Sequence, residues 1–586
     1  MMAVSSSTDV SMDSKSRFTF SHFSRRSALL LLLVVMLSVT AAQAQVLYGT
    51  ISGNVTDSSG AVVPGASVTA LNTGTSFSRT VTTNSDGIYL VQDLQPGTYK
   101  VTVTAAGFGP YEVANVPVNA NQITRSDAEL RVGNSQQVIE VNSQAAAVLQ
   151  TDKADVNTEI NPVQLAELPT TSSYGRNFQS LYKLVPGFTP PAEQNSSGGN
   201  PMRAQASNAN GVSWAANTTR VDGATVSYPW LPYLIAYVPP QDAIQSVNVV
   251  TNSFTADQGT AGGAAINVTI KSGTNSFHGA VFEYNSINQY NARNYYQPVQ
   301  NVPIRPKNIY NEWGGAIGGP IWKNKLFFFF DVDRITRRNA LSGFQTIPTP
   351  QLIAGDFTGY LAGGTQSQIY DPATGAIAGG AQTGGGRQTF ATTSGTGKML
   401  IPAARISSVA KKMLALLPAP NNCVNNCTQT IANDYFGTTV AAYTMTKYDA
   451  KINYNLGDKN TFFGRYSIAP YTINDPPALG PANGGTFDGG NPGANLGRIQ
   501  NVGLGFTHLF TPNLLVDVRG GAMLKPYVFN PTVSKLGITG ATDAGFKNVD
   551  QYMAACTSTW RLPMAMLGAV GTIWETLEIH NAAILW

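Results

Sequence analysis

Charged side chains are scarce: Asp, Glu, Lys and Arg together make up 12% of the 586 residues, about half the ~25% of soluble globular proteins. The net charge is only +4, which leaves no electrostatic footprint for nucleic acid, so nucleic acid is not an expected partner. Histidine is rarer still, at 4 residues. His278, His508 and His580 stand far apart, with no His-x-x-Glu or paired-His spacing, so no metal site is expected. Nucleophile elbows, phosphate loops and dinucleotide fingerprints are missing as well. The glycines of WGGAIGGP (313–320) read as a strand and turn with close backbone approach, not a phosphate cradle. The sequence therefore assigns no catalytic residue and no cofactor, and no enzyme activity is expected. Cysteines number 3. Cys423 and Cys427, in the Pro/Asn-rich stretch PAPNNCVNNCTQT, are a candidate local disulfide of an exposed loop, and Cys556 is left over. Past the N-terminus long apolar runs are absent too; Phe327 to Phe330 is the strongest cluster and Asp331 ends it. Any membrane insertion must then use β-strands, since only helices and closed barrels satisfy their backbone in lipid.

What the chain has instead is glycine and aromatics, 57 Gly, 24 Tyr and 25 Phe, a composition suited to many short strands joined by loops. Residues 1–44 read as addressing. Arg25 and Arg26 precede an apolar run from Ala28 to Val39, and Ala42-Gln43-Ala44 supplies a small-x-small site, so a secretory signal peptide cleaved after Ala44 is predicted. The run falls well short of the ~20 residues that a spanning helix needs.

Residues 47–131 show short alternating strands with turn signals between them. Gly49 to Val55 is followed by the turn Asp57-Ser58-Ser59-Gly60; Pro64-Gly65 leads into Ser67 to Leu71; Ser85-Asp86-Gly87 turns into Ile88 to Val91; Pro96-Gly97 turns into Tyr99 to Val103. Val68, Tyr99, Val101 and Val103 are the expected core of an Ig-like sandwich. The segments Gly53-Asn54-Val55-Thr56-Asp57, PGASV, SDGIY and LQPGTY resemble the carboxypeptidase regulatory-like domain, a transthyretin-like sandwich. That resemblance is to a non-catalytic appendage, and Asp86 reads as a turn residue rather than a cation ligand.

Between 132 and 275 the texture becomes mixed α/β. Tyr174 to Leu184 places Phe178, Leu181, Tyr182 and Val185 at helical spacing before Pro186-Gly187 stops it. Then come Thr219-Arg220-Val221-Asp222-Gly223, Ile244 to Val250, and Ala261 to Lys271. This order, with VDG and GGAAINVTIKSGTN as its most specific parts, resembles the plug of TonB-dependent outer-membrane receptors, and with the preceding sandwich it is similar to their Oar-like subgroup. The resemblance implies a TonB box, a short strand captured by an inner-membrane TonB-type energy-coupling complex through strand addition. Gln137, Val138, Ile139, Glu140 and Val141 are the candidate; a plain interdomain strand fits the same five residues. Ser196 to Gly211 is expected as an apical plug loop, either touching ligand or simply solvated.

From 276 to 555 the period is two. Tyr448, Ala450, Ile452, Tyr454 and Leu456 alternate with Asp449, Lys451, Asn453 and Asn455; Gly457 to Asn460 turns; Phe462, Gly464, Tyr466 and Ile468 resume the apolar face against Thr461, Arg465 and Ser467. Val502–Phe510 with Leu514–Ala522, and Trp313–Ile317 with Lys325–Arg334 after Gly318-Gly319-Pro320, make two more hairpins. Leu352–Met399 and Asp475–Leu496 would be extracellular loops. Alternation fits a soluble sandwich or a membrane barrel; strand length, loop asymmetry and the plug resemblance favour the barrel. A full receptor closes about 22 strands, whereas residues 276–586 suggest roughly half that number. Residues 556–586 lose the alternation, contain no recognisable hairpin and read as an atypical end, as of a truncated or frame-shifted product. The expected fold is mainly β: a transthyretin/Ig-like sandwich, an α/β plug, then a partial antiparallel transmembrane β-barrel. The function this implies is energised uptake of an unidentified extracellular ligand at the outer membrane, in contact with its lipid; surface adhesion and a non-functional fragment are the rivals.

Overall fold

The computed structural model describes residues 48–586 other than 121, 134–136, 141–154, 173–174, 229–230, 254–260, 293–305, 360, 363–364, 367, 376, 379–380, 383–385, 423–431, 481–484, 489–491, 512–513, 526, 532–575, 580–582 and 585–586. The signal segment with Ala44, Val141, and Cys423, Cys427 and Cys556 therefore lie outside the described residues.

Alternating apolar residues build the first unit as two facing sheets. β1 (Gly49–Asp57) pairs with β4 (Ile88–Leu94), and runs parallel to β7 (Ile123–Arg125) and β8 (Ala128–Leu130). The second sheet has the order β3-β2-β5-β6-β9, from β2 (Ser67–Asn72), β3 (Ser78–Thr82), β5 (Gly97–Thr104), β6 (Tyr111–Val118) and β9 (Gln137–Glu140). Val68, Tyr99, Val101 and Val103 are buried between the sheets with Ile51, Tyr89 and Leu130. The turns form where the sequence marks them. Asp57 Oδ1 accepts the N–H groups of Ser59 and Ala61 at 2.8 and 2.9 Å. Gly87 sits at φ +71, with Val55 O only 2.8 Å from where a Cβ would stand, so this hairpin requires glycine.

The segment expected as a plug, called the plug below for its place in the chain, is a five-stranded sheet in the order β10-β13-β14-β11-β12, formed by β10 (Val156–Ile160), β11 (Thr218–Val221), β12 (Ala224–Thr225), β13 (Ile244–Asn252) and β14 (Ala265–Ile270). A short helix α1 (Pro162–Glu167) starts on a reciprocal capping box between Asn161 and Gln164. The helix expected at Tyr174–Leu184 is shorter and tighter: a 3-10 segment over Phe178–Leu184, because Gly175–Arg176 pairs with Thr171–Ser172 as strand. Its apolar spacing still buries Phe178, Leu181 and Tyr182 in the plug core.

Eight long or medium strands form the outer wall as an antiparallel meander: β15 (His278–Ile287), β16 (Asn308–Trp322), β17 (Leu326–Gln345), β18 (Tyr435–Leu456), β19 (Asn460–Asp475), β20 (Gly493–Thr511), β21 (Leu514–Leu524) and β22 (Tyr527–Pro531), the last folding back on β20. Among the described residues the sheet is open, since β15 pairs only with β16. Two sequence expectations change here. The strand runs straight through Gly318-Gly319-Pro320, which pair with Phe329, Phe328 and Phe327; the chain reverses at Lys323–Lys325, where Asn324 takes φ +64. Those glycines serve close approach instead: the Phe277 ring lies 2.4 Å from a Cβ built on Gly319. The loop after β19 is shorter than Asp475–Leu496, because β20 already begins at Gly493. In the stretch expected to hold no hairpin, β23 (Thr576–Ile579) and β24 (Ala583–Ile584) each pair with β21 and not with one another, so that expectation is unchanged among the described residues.

Candidate functional site

The wall is inside-out compared with a soluble sandwich. On β18, Asp449, Lys451, Asn453 and Asn455 are buried on the concave side, while Ile452 and Leu456 are each 48% exposed on the convex side. Neighbouring strands repeat this: Arg465 and Ser467 are inward, Phe462 and Tyr466 outward; Asn501 is inward, Leu504 outward. The outward apolar face runs from Tyr448 to Leu456 on β18, from Phe462 to Ile468 on β19 and from Val502 to Phe510 on β20. Beyond it the same face carries Arg334, Thr472, Asn474 and Arg498. A nine-residue band, counting Tyr448 to Leu456, is about 30 Å of strand, which at the usual tilt projects to about 23 Å, close to the ~25 Å apolar band of outer-membrane barrels. Water would reward the opposite arrangement; lipid outside and a polar plug inside reward this one.

The plug meets the wall through ions and polar groups. Asp222 sits at φ +48 in the tight turn between β11 and β12, a conformation that Asp and Asn tolerate through local hydrogen bonds. Its carboxylate lies 3.0 Å from Lys451 Nζ and 3.0 Å from Arg465 Nε. Lys451 also donates to Ile270 O at 2.8 Å, and Arg465 donates to Val221 O at 3.3 Å and to Asn501. Elsewhere Tyr237 donates to Asp449, and Arg176 bridges Asp242 of the plug and Glu312 of β16. The segment Ser196 to Gly211 is not a solvated loop. Ser197 donates to Asp488 at 2.8 Å, Asn495 to Gly198 O at 2.9 Å and Tyr443 to Pro201 O at 2.8 Å. Asn200 closes it internally by accepting from Ala204 N and donating to Gln194 O. Short polar side chains that satisfy nearby backbone let such a stretch be buried.

The sandwich leans on the plug and the lower rim of the wall. Tyr48 and Thr507 share a hydrogen bond at 2.9 Å, Gln95 donates to Asn455 at 3.2 Å, and Asn119 donates to Glu159 of β10 at 2.7 Å. Burial pushes the Glu159 carboxyl up to about 7. It also pushes Asp93 up to about 7, despite Arg79 at 3.3 Å, with Asp517 and Arg519 of the wall facing the same group. Both carboxyls hold a proton more tightly folded than unfolded. Their contribution to stability is therefore fully present below about pH 4 and is lost as pH rises towards 7, by at most about 1.4 kcal/mol per pH unit for each group. The chain is expected to melt at a higher temperature at pH 5 than at pH 8, and Glu159→Gln should shrink the difference; a melting temperature that rises with pH over that range would contradict this account.

Gln137–Glu140, four of the five candidate box residues, form β9 parallel to β6, with Tyr111, Glu112, Val113 and Ala114 as Cα partners. The structure thus gives the candidate a place in the sandwich rather than in a bare linker. It brings Asp222, Asp449, Lys451 and Arg465 together. The sequence reading missed Arg176, Tyr237, Asp242 and Glu312, whose common signal is charge or phenol on inward positions of a chain with few charges.

Comparison with known proteins decides the family. Residues 269–568 match the outer membrane beta barrel domain, and residues 50–131 match the carboxypeptidase regulatory-like domain. This chain belongs to the outer membrane beta barrel domain family. Its place is the outer membrane. The match continues past residue 555, into the stretch read as atypical. The TonB-dependent transporter Oar of Myxococcus xanthus is 28% identical over 274 residues, 45% of this chain and 24% of that protein. Among solved structures, the ferric enterobactin receptor PfeA of Pseudomonas aeruginosa is similar at 12% identity and a TM-score of 0.35, covering 63% of this chain and 41% of the receptor. The outer membrane transporter YddB of Escherichia coli gives 10% identity and a TM-score of 0.34, covering 64% of this chain and 40% of that one. The chain thus spans about a quarter of its curated relative and about two fifths of these structures.

Proposed function

We propose that this chain acts as a TonB-dependent outer-membrane receptor that takes part in energised uptake of an extracellular ligand. The observation that carries the reading is a polar plug seated on the concave face of an outward-apolar wall and held there by reversible ionic contacts centred on Asp222. Such a plug covers the concave face at rest, and its ionic contacts to the wall are the joints that must part for it to shift under force. The curated relative is a TonB-dependent transporter, and the same role is proposed here, with residues 137–141 as the box. Strand addition uses main-chain N–H and C=O groups, so proline at two successive box positions removes donors and fixes φ.

The full chain, purified in detergent, should bind the periplasmic domain of a TonB-type protein, and Val138→Pro with Ile139→Pro should weaken that binding at least tenfold. Surface plasmon resonance reads both. A wild-type chain that does not bind, or a double-proline variant that binds equally well, would sink the proposal.

A further inference from the structure

We infer that the sandwich is the docking platform for the energy-coupling partner: it holds β9 as the end strand of its own sheet, and the partner adds the next strand to it. The inference rests on the reading of residues 137–141 as the box. β9 is the last strand in the order β3-β2-β5-β6-β9, and its pairing to β6 occupies one of its two main-chain edges. A strand already laid out in extended form has lost its backbone freedom before the partner arrives, so less ordering entropy opposes association. A partner strand on the other edge makes a continuous sheet from the sandwich into the partner.

The consequence is mechanical. Force applied to β9 falls first on β6 and the sandwich, not directly on the plug. The joint that must then yield is polar. Between sandwich, plug and wall lies a cavity of about 280 Å³ lined by Asn72, Gln95, Thr269, Lys451, Asn453 and Thr461. Thr269 Oγ1 and Asn453 Oδ1 are buried there without a protein partner, as befits a space that holds water. Hydrogen bonds such as Gln95 to Asn455 and Asn275 to Ser76 exchange readily for bonds to water when the sandwich moves away.

A disulfide tests the platform. Glu112 and Val138 are Cα partners across β6 and β9, within reach of a disulfide. In a full chain with Cys423, Cys427 and Cys556 replaced by serine, Glu112→Cys with Val138→Cys is oxidised and compared with its reduced form for binding the TonB-type periplasmic domain. The platform requires the crosslink to form and the oxidised pair to bind within threefold of the reduced form of the same pair, a ratio from which any effect of the side-chain changes themselves cancels. If the oxidised form binds more than tenfold more weakly and reductant restores it, the strand must leave β6 to be captured; the platform is then wrong while the box reading stands. Failure of the pair to oxidise also overturns the platform. Failure of the reduced and wild-type chains to bind at all overturns the box reading instead.

Discussion

Asp222→Asn is expected to destabilise the seated plug by about 3 kcal/mol, the lower end of the range for removing one partner of a buried ion pair. The side chains of Lys451 and Arg465 are 6% and 0% exposed, so neither can turn to water when its carboxylate disappears. The loss stays at the lower end because Lys451 keeps the Ile270 carbonyl and Arg465 keeps Asp449 at 3.9 Å. Asparagine tolerates the positive φ at this position, so the substitution isolates charge from backbone strain. Asp222→Ala should cost about 1 kcal/mol more, since alanine resists the left-handed region. Adding Lys451→Met to Asp222→Asn should recover part of the loss by removing a stranded charge. Urea unfolding of the detergent-solubilised chain, followed by tryptophan emission, reads all three; an unchanged midpoint for Asp222→Asn would mean that the ionic contacts do not hold the plug.

Much of this architecture is legible in the sequence because turn chemistry and period two are local. Asp57, Gly60 and Gly87 set the sandwich turns, and Tyr448 to Leu456 announces a strand with two unlike faces. What alternation does not carry is which face turns towards other protein. Asp449 and Lys451 read as polar positions on a strand; that they are buried against Asp222 and Tyr237 follows only from where the plug sits, more than 200 residues away in sequence. Local glycine signals can also mislead. Gly318-Gly319-Pro320 has the composition of a turn, yet its missing side chains make room for Phe277 while the chain reverses four residues later at Asn324. The 3-10 segment at Phe178 shows a further limit. Apolar spacing predicts the buried face correctly but not how tightly the backbone winds, because a neighbouring strand pair competes for the residues before Asn177.

Ile452→Arg should act on the opposite face with an effect of similar size. Ile452 lies midway along the outward band on β18, between Tyr448 and Leu456, with Phe328 and Gly464 as its cross-strand neighbours. An arginine near the middle of a lipid-facing strand costs about 2–4 kcal/mol, whereas near the interface it costs about 0–1 kcal/mol. Thr438→Arg, on the same face of the same strand but far above the band, supplies the matched control. On a water-facing surface both changes would fall within about 0.5 kcal/mol of neutral. The fraction of chain showing heat-modifiable migration in isolated outer membranes should therefore drop sharply for Ile452→Arg and little for Thr438→Arg. Equal behaviour of the two would mean that the convex apolar band does not face lipid. The contrast tests depth directly, because composition, strand and face are held constant and only position along the band differs. It also separates the wall from the plug: Ile452→Arg should reduce assembly without touching the contacts of Asp222, and Asp222→Asn should loosen the plug in a wall that still inserts.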